Sequence, residues 1–259
     1  MVTISKDHPR YNSLVLRDKL VDGCKKGITN FHGLIAHGRG EAFDYLIGEN
    51  STTNALAATE VASAYMLTAQ RPILSVNGNV AALVPAELVE LSEMIEAPLE
   101  INLYHHSRQR IEKIEQHLRD FGARRILTGR NSVRLPGIAS ERAKVDESGI
   151  LLSDVVFVPL EDGDRSEALK KSGKTVLAVD LNPLSRTALA ASVTVVDELT
   201  RTMGNIIEFT RRMQNAEDKE VLEVLKSKFD NVQNLKTSYS IILSHLQNLS
   251  ESNGPLNIT

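Results

Sequence analysis

Three short polar segments carry residue types that bind phosphate or act on a carboxylate. Segment 37–41 places a histidine and an arginine around two glycines, segment 161–165 contains three carboxylates and an arginine, and segment 180–187 places an aspartate ahead of an arginine and a threonine. Glycine lets an anion approach the backbone closely, and the arginine fork binds phosphate with paired donors. Each segment would equally suit a solvent-exposed turn, so none of them alone identifies a site.

Two of these segments follow apolar runs that predict buried strands. Open α/β sheets bind ligands in loops at the carboxyl ends of their strands, which is where 161–165 and 180–187 would lie. The carboxylates of 161–165 could bind magnesium or a polar ligand. Alternatively, they could form a solvated turn in which Asp164 caps the next helix. In 180–187, Asp180 could bind a ribose hydroxyl, and Arg186 at the start of a helix could bind phosphate.

Familiar nucleotide-binding and hydrolase signatures are absent from the sequence. A dinucleotide fingerprint starting at Gly38 fails because Phe43 stands at its third glycine position, and a P-loop ending in 173–175 fails because Ala168 stands at its first glycine. No GxSxG segment marks a serine nucleophile. Phosphate binding would therefore depend on arginines in loops rather than on a P-loop.

A metal centre built from the chain's own side chains is not expected. The single cysteine, Cys24, cannot form an internal disulfide or a thiolate metal site by itself. Adjacent residues of a strand point to opposite faces, so His105 and His106 cannot readily share one ion. One of these histidines is expected to bind an anion or a hydrogen-bonding group alongside Arg108 and Arg110.

The composition indicates an ordinary globular protein and excludes several kinds of partner. Of the 259 residues, 42% are hydrophobic and 24% are charged, which excludes disordered and collagen-like chains. The formal net charge of minus 3 gives no basic excess, so no nucleic-acid partner is expected. No apolar stretch is long enough to span a membrane, and a lone cysteine fits a reducing compartment. We therefore expect a cytoplasmic protein with no membrane partner.

Alternating helical and strand-like patterns from about residue 52 would position the polar segments. Strands alternating with helices require crossover connections, so the sequence predicts an α/β fold with a Rossmann-like parallel sheet and flanking helices. A helix at 12–26 that ends at Gly27 precedes the sheet, and 77–79 is predicted to be a turn. The strands are predicted at 73–76, 99–103, 125–127, 154–158, 175–179 and 193–196, and the helices between them at 52–70, 85–95, 108–121, 165–171 and 198–214.

The C-terminal region is predicted to be a helical extension. From 222 to 249, apolar residues recur every three or four positions, which is typical of an amphipathic helix. Such a helix, or a pair of helices, would cover the core of its own chain or pack on a partner subunit. We therefore divide the chain into an α/β nucleotide-binding catalytic domain at 1–215 and a helical extension at 216–259.

Four longer segments together resemble one enzyme family. All four are similar to archaeal phosphopantothenate synthetase, also called 4-phosphopantoate:β-alanine ligase, and the resemblance extends over roughly residues 5–215. The segments are DHPRYNSLVLRDKLVDGCKKGITNFHGLIAHGRGEAFDYLIGE at 7–49, SVNGNVAALVPAE at 75–87, VPLEDGDR at 158–165 and VDLNPLSRTA at 179–188.

The resemblance implies an ATP-dependent ligase of coenzyme A biosynthesis. Such an enzyme condenses 4-phosphopantoate with β-alanine to 4'-phosphopantothenate, through an acyl-adenylate and with release of AMP and diphosphate. Attack of a carboxylate on the α-phosphate of ATP needs fixed positive charge at the phosphates and usually magnesium. The resemblance thus implies ATP and Mg²⁺ as cofactors, with no metal ligand identified in the chain, and it also implies a homodimer.

The resemblance also assigns roles to individual residues. Arg17 and Arg39 fall in matching segments and are expected to contact nucleotide or substrate phosphate, and His37 is expected to act in catalysis together with Arg39. The nucleotide-binding residues that the resemblance implies are Arg17, Arg39, Asp180, Leu181, Asn182, Arg186 and Thr187.

Two other classes of function stay open at this point. The chain could be a nucleotide-binding regulatory protein without turnover, in which case AMP would not form in dependence on both substrates. It could instead be a small-molecule kinase or an amidotransferase on the same sheet. A kinase would release ADP, whereas the ligase would release AMP and diphosphate.

Overall fold

The chain forms a six-stranded parallel sheet flanked by helices. The structure is a computed structural model, and it describes residues 4–105, 107–136, 138, 141–215 and 218–251. The strands are β1 (Pro72–Val76), β2 (Leu99–Ile101), β3 (Ile126–Leu127), β4 (Ser132–Arg134), β5 (Lys144–Asp146), β6 (Val155–Pro159), β7 (Thr175–Val179) and β8 (Val193–Val195). The sheet has the order β3-β2-β1-β6-β7-β8, while β4 and β5 pair separately and antiparallel. The predicted α/β fold with a parallel sheet is confirmed.

The helices agree with most of the helical patterns in the sequence. Gly27 ends the first helix in the left-handed conformation, with φ of 73°, which glycine adopts without a steric cost. The side chains of Thr52 and Ser107 each accept a bond from a backbone N–H of the helix that follows. The helices are α1 (Tyr11–Lys26), α2 (Phe31–Ile47), α3 (Thr53–Thr68), α4 (Gly78–Leu83), α5 (Pro85–Met94), α6 (Arg108–Asp120), α7 (Gly163–Lys171), α8 (Arg186–Ala190), α9 (Leu199–Asn215), α10 (Lys219–Lys228) and α11 (Asn231–Glu251).

The central strands are almost entirely apolar, apart from Ser75 in β1 and Thr175 in β7, because helices cover both of their faces. All five residues of β6 are buried, and β1 and β7 are each buried at four of five positions. Parallel strands in layered α/β folds carry continuous apolar runs for this reason. Such runs made these strands predictable to within about two residues.

One local prediction, the turn at 77–79, is wrong, and so are two of the alternative interpretations, the turn at 37–41 and the cap at Asp164. Segment 37–41 lies in the middle of α2 rather than in a tight turn, because Asn30 caps this helix and apolar residues flank the two glycines on both sides. Segment 77–79 is the start of α4, with Asn77 as its cap. Asp164 lies within α7 rather than at its cap, since the helix begins one residue earlier, at Gly163.

The β4–β5 hairpin was not anticipated from the sequence. Its strands have three residues each, and the outer residues of β4 are exposed. Strands this short and polar lack the alternating pattern from which a strand is predicted.

The C-terminal helices pack on the α/β unit of their own chain. Leu235 of α11 is buried, and Nδ2 of Asn234 donates to the carbonyl of Thr194 at 2.8 Å. Helix α11 packs against α2, α3, α8 and β8. The division of the chain at 216 stays a prediction, and Ala216 lies outside the described residues. Within the described part of the chain, no helix combines the length and apolarity needed to cross a bilayer.

A buried carboxylate in β2 gives the fold a pH dependence. Glu100 is 1% exposed, and its oxygens accept bonds from the backbone N–H groups of Ile150 (2.7 Å) and Asp146 (3.1 Å). A Cβ at Gly149 would lie 2.0 Å from Oε2 of Glu100, so the loop can approach only through a glycine. Burial raises the pKa of Glu100 from 4.5 to about 7, although the two hydrogen bonds act in the opposite direction.

We expect Glu100→Gln to reduce the pH dependence of stability. Between pH 4.5 and about 7 the unfolded chain has lost the Glu100 proton that the folded protein keeps, so stability falls as pH rises. The gap between these pKa values corresponds to about 3 kcal/mol. Urea unfolding at pH 4.5, 6 and 8 should therefore show that the wild-type protein loses stability relative to the variant as the pH rises. Parallel pH profiles for the two proteins would contradict this account of Glu100.

Candidate active site

The carboxyl edge of the sheet has its switch point between β1 and β6. Strands β2 and β3 continue the sheet beyond β1, and β7 and β8 continue it beyond β6, so the chain leaves the two central strands in opposite directions. Ligands of open α/β sheets bind where this divergence opens a crevice. A cavity of about 260 Å³ lies there, and we call it the switch-point crevice. Its lining includes Asn77, Asn79, His105, Arg110, Arg142 and Asp162.

Two asparagines at the start of α4 fix one wall of the switch-point crevice. Nδ2 of Asn77 donates to the carbonyls of Pro159 (3.1 Å) and Leu160 (3.0 Å), which ties the end of β1 to the end of β6. Nδ2 of Asn79 donates to the carbonyl of Gly33 at 2.8 Å. A Cβ on Gly33 would lie 2.3 Å from Oδ1 of Asn79, so α2 can approach this wall only through a glycine.

Arg110 brings a positive charge without a counterion to the switch-point crevice. Its Nη1 donates to the carbonyl of His105 and its Nη2 to the carbonyl of Ile28, both at 3.1 Å. No carboxylate of the described residues pairs with it. Burial lowers the pKa of Arg110, and the nearby charge of Arg142 acts in the same direction. Because arginine stays protonated in proteins, the guanidinium keeps its charge at neutral pH.

A buried ion cluster lies beside the crevice. Glu161 accepts hydrogen bonds from Nη1 of Arg142 and Nη1 of Arg165. Burial alone would raise the pKa of Glu161, but the two guanidinium groups outweigh it and hold the pKa below its usual value. Nε of Arg142 lies 2.8 Å from Oδ2 of Asp162, and Arg165 also donates to the hydroxyl of Ser75 at 3.0 Å. The cluster therefore joins the end of β6 to β1 and to the segment before β5.

A second cavity, of about 520 Å³, lies between α1, α2 and the loops that follow β7 and β8. We call it the α1–α2 cavity. Two residues assigned to the site from the sequence, His37 and Leu181, line this cavity although they come from distant parts of the chain. Its lining includes Arg10, Lys19, His37, Glu41, Leu181 and Glu198.

His37 is a neutral imidazole in the α1–α2 cavity. The residue is half-buried, and its Nε2 is buried without a hydrogen-bond partner. Burial lowers the pKa of His37, and the negative charges of Glu41 and Glu198 oppose this effect without reversing it. The ring is therefore uncharged at neutral pH and can accept a proton.

The two arginines that are expected to contact phosphate, Arg17 and Arg39, differ in their surroundings. Arg17 of α1 forms a two-pronged ion pair with Glu41 of α2, at 2.9 Å between Nη2 and Oε2, and this bond raises the pKa of Arg17. Arg39 of α2 is exposed and makes no ion pair or hydrogen bond with any residue that the structure describes. Its charge acts on the carboxyl group of Asp180. Of these two, Arg39 is therefore the arginine that can bind an anion without first breaking an ion pair.

Asp180 organises the loop that follows β7. One of its oxygens accepts a bond from the backbone N–H of Asn182 at 2.9 Å, and the other from the hydroxyl of Ser185 at 2.5 Å. Burial raises the pKa of Asp180, while these bonds and the charge of Arg39 lower it. The side chain of Asn182 accepts a bond from the N–H of Leu184 at 2.9 Å. The loop is thus held by its own polar side chains.

The last two residues assigned from the sequence have partners within the chain. Arg186 is exposed and donates to Glu167 at 2.8 and 3.0 Å. The hydroxyl of Thr187 is buried and donates to the carbonyl of Glu161 at 2.7 Å. A Cβ on Gly163 would lie 2.3 Å from Cβ of Arg186, so the starts of α7 and α8 touch. Thr187 joins the loop after β7 to the buried ion cluster.

The structure thus brings the N-terminal and the later segments to one edge of the sheet. Sequence patterns did not single out Asn77, Asn79 or Arg142, which face the switch-point crevice. The sequence indicates Arg110 only as a companion of His105 or His106, and His106 lies outside the described residues. Asn77 and Asn79 could have been found from their place directly after a predicted strand, whereas Arg142 lies in a short 3-10 helix that no pattern indicates.

The donor set does not form a metal site of its own. Within the ranges that the structure describes, no group of three or more His, Cys, Asp or Glu side chains is placed to hold a metal ion. Magnesium commonly keeps several waters and binds through one or two carboxylates together with substrate phosphates. A magnesium ion bound mainly by nucleotide phosphates would not need such a group of side chains.

Comparison with known proteins identifies one family. The family model described as phosphopantothenate/pantothenate synthetase matches residues 54–245. A relative from Thermococcus kodakarensis is 48% identical over 252 residues, which cover 97% of this chain and 96% of the relative. A relative from Methanosarcina mazei is 46% identical over 254 residues, 98% of this chain and 100% of the relative. Both of these archaeal relatives are named 4-phosphopantoate–beta-alanine ligase.

Proposed function

The chain belongs to the phosphopantothenate/pantothenate synthetase family, and we propose that it condenses 4-phosphopantoate with β-alanine to give 4'-phosphopantothenate in coenzyme A biosynthesis. The sequence identity of 48% to a ligase of that name over almost the whole of both chains carries this proposal. We place the enzyme in the cytoplasm, where a single free thiol such as Cys24 stays reduced.

The chemistry of amide formation explains why ATP is needed. A carboxylate is a poor electrophile until one of its oxygens becomes part of a good leaving group. Attack of the 4-phosphopantoate carboxylate on the α-phosphate of ATP gives an acyl-adenylate and releases diphosphate. The amine of β-alanine then displaces AMP. Both anions must be held together by fixed positive charge, which this chain supplies from arginines.

We assign the nucleotide to the α1–α2 cavity and the neighbouring loop after β7. The cavity volume of about 520 Å³ suits a nucleotide better than that of the switch-point crevice does. In this assignment Arg39 contacts a phosphate, and Asp180 and Asn182 contact ribose or base. Arg17 joins them when Glu41 releases it. Leu181, Arg186 and Thr187 complete the proposed nucleotide-binding set, with Thr187 acting through the backbone because its hydroxyl is bonded to Glu161.

We assign a catalytic role to His37. The β-alanine amine is protonated at neutral pH, and it must lose a proton before it can attack a carbonyl carbon. A neutral imidazole that lines the α1–α2 cavity can accept that proton. The lowered pKa of His37 keeps the ring in the basic form over the physiological range.

Asp180→Ala is expected to weaken ATP binding at least tenfold, since a carboxylate that bonds a ribose hydroxyl contributes about 1.5 to 3 kcal/mol. Ser185→Ala is the matched control, because it removes one of the two bonds that Asp180 accepts, together with the Ser185 cap of α8, and leaves the carboxylate in place. Calorimetric titration with ATP should show a change of less than about threefold for the control. Equal losses in both variants would mean that Asp180 only holds the loop.

We further propose that the enzyme is a homodimer that uses helical surface outside the sheet. In a single chain, only Ile47 of α2 is buried, while Phe31 and Ile35 on its first turns are 78% and 71% exposed. Leu243 and Leu246 on the second half of α11 are also exposed. Apolar surface of this extent on a soluble protein is typical of an interface with a partner.

Leu243→Glu or Ile35→Glu is expected to convert the dimer to a monomer, because each would bury an unpaired carboxylate in the interface. Gln233→Glu is the matched control and should leave the dimer intact, because Gln233 is exposed in the first turn of α11, about three turns from Leu243. Light scattering at micromolar concentration measures the mass of each variant. A wild-type monomer would refute the dimer, and dimeric variants would place the interface elsewhere.

The reaction itself is tested by product analysis with the purified protein. 4-Phosphopantoate, β-alanine and ATP together should give 4'-phosphopantothenate, AMP and diphosphate, and omission of any one substrate should stop amide formation. Binding of ATP without turnover would favour a regulatory protein. Formation of ADP would favour a kinase or another ligase, and equal use of unphosphorylated pantoate would overturn the proposed substrate.

A further inference from the structure

The switch-point crevice has a positive charge that pairs with no carboxylate among the residues that the structure describes. Three arginines, Arg110, Arg142 and Arg165, lie in the crevice and the ion cluster beside it, and the ion pairs with Glu161 and Asp162 involve only Arg142 and Arg165. One arginine charge is therefore left without an ion pair. A half-buried charge without a counterion is costly, and an anionic ligand removes that cost.

The contacts assign this excess charge to Arg110. Arg142 contacts both Glu161 and Asp162, and Arg165 contacts Glu161, whereas Arg110 contacts backbone carbonyls alone among the described residues. A Cβ on Gly78 would lie 2.8 Å from Nη2 of Arg110, so the guanidinium packs directly on the backbone at the start of α4. Its position is thus fixed before any ligand arrives.

Two histidines add donors at the rim of the crevice. The rings of His32 and His105 lie 4.6 Å apart between centroids and both belong to the crevice lining. His105 follows β2, and His32 lies in the first turn of α2, so the two rings come from opposite sides. A dianionic group in the crevice would meet Arg110 within and two imidazole rings at the rim.

We propose that the switch-point crevice binds the phosphate group of 4-phosphopantoate, with Arg110 as its charged contact. This inference rests on the proposed function and names the place of one substrate group. The crevice of about 260 Å³ suits a small phosphate ester, and the larger α1–α2 cavity remains for the nucleotide.

The sheet geometry lets the other end of the substrate reach the nucleotide. Neighbouring strands are about 4.8 Å apart, so the loop after β7 begins within about 10 Å of the crevice between β1 and β6. The phosphate and carboxylate of 4-phosphopantoate are separated by three carbon atoms and an ester oxygen, so the substrate extends over much of this distance. With the phosphate at Arg110, the carboxylate points along the edge of the sheet toward the proposed nucleotide loop.

The same contact explains why the enzyme would distinguish 4-phosphopantoate from pantoate. Pantoate lacks the phosphate and would leave Arg110 without its counterion. A site built for a charged or hydrogen-bonding group rejects an analogue without it far more strongly than an apolar pocket does. Arg110 is therefore a specificity-determining residue in this proposal.

Arg110→Gln tests the proposal by binding and by kinetics. Calorimetric titration and KM should show affinity for 4-phosphopantoate reduced roughly ten- to hundredfold, with the Kd for ATP and the efficiency with pantoate within about twofold of wild type. Arg119→Gln is the matched control, because Arg119 lies on the same helix and pairs with Glu115 away from the crevice. Unchanged affinity for 4-phosphopantoate, or equal losses for 4-phosphopantoate, pantoate and ATP, overturns the proposal.

A second pair of variants covers the case in which Arg110→Gln does not fold. His105 is exposed, so His105→Glu and His105→Gln should both fold. Repulsion should make the glutamate variant bind 4-phosphopantoate about fivefold more weakly than the glutamine variant, with pantoate unaffected. Equal affinities in the two variants count against the proposal. If wild type makes 4'-phosphopantothenate while these variants keep full affinity, only the phosphate site is wrong; if wild type binds no 4-phosphopantoate, both the site and the proposed function fail.

Discussion

Replacing Arg39 with alanine is expected to lower turnover about a hundredfold. A charge-assisted contact to a phosphate that carries the developing charge of the transition state contributes about 2 to 4 kcal/mol. Arg39 can make this contact without first breaking another, because it is exposed and has no ion pair within the described residues. Arg17 is already bonded to Glu41, so Arg17→Ala should have the smaller effect.

Steady-state kinetics with each substrate varied in turn measures the effect of Arg39→Ala. Arg39→Lys should recover part of the lost rate, because it keeps the charge but not the fork. Arg124→Ala is the matched control, since Arg124 is an exposed arginine that precedes β3 and so lies at the opposite edge of the sheet. Near-normal kcat in Arg39→Ala, with unchanged KM for ATP and 4-phosphopantoate, would remove Arg39 from the site.

Replacing Glu161 with glutamine is expected to destabilise the protein by about 3 to 5 kcal/mol. The substitution leaves two buried guanidinium groups, those of Arg142 and Arg165, without their shared carboxylate. Breaking a buried ion pair by removing one partner has a cost of this size because the remaining charge stays out of water. This loss is large because the free energy of unfolding of a folded domain is usually only about 5 to 15 kcal/mol.

Urea unfolding at pH 7 measures this change, with Glu167→Gln as the matched control. Glu167 pairs with Arg186, whose side chain is 66% exposed, so the control should change the free energy of unfolding by only about 0 to 1 kcal/mol. Similar midpoints for the two variants would show that the cluster around Glu161 does not hold the end of β6.

The parts of the fold that follow from apolar periodicity were predictable from the sequence. The strands 175–179 and 154–158 and the helix 12–26 agree with β7, β6 and α1 to within about a residue, because burial on both faces or on one stripe leaves a pattern in the chain. The helix α2 was missed because Gly38 and Gly40 suggest a turn when their long-range packing is unknown.

The candidate site was predictable only where its residues are neighbours in sequence. The loop after β7 could be located because Asp180 and Asn182 directly follow a predicted strand. The switch-point crevice combines Asn77, Arg110 and Arg142, which come from three distant segments, and no local pattern indicates that folding brings them together. The pair of Arg17 with Glu41 is likewise a product of the packing of α1 on α2.

The transfer of an oxygen atom tests the central claim most directly. If the carboxylate of 4-phosphopantoate attacks the α-phosphate of ATP and both of its oxygens carry ¹⁸O, one labelled oxygen must leave with AMP when β-alanine forms the amide, and the other must stay in the amide. We predict one labelled oxygen in AMP for each amide formed, with unlabelled diphosphate, by mass spectrometry of a complete reaction. Label appearing in inorganic phosphate together with ADP, or no transfer of label during amide formation, would contradict the proposed AMP-forming ligase.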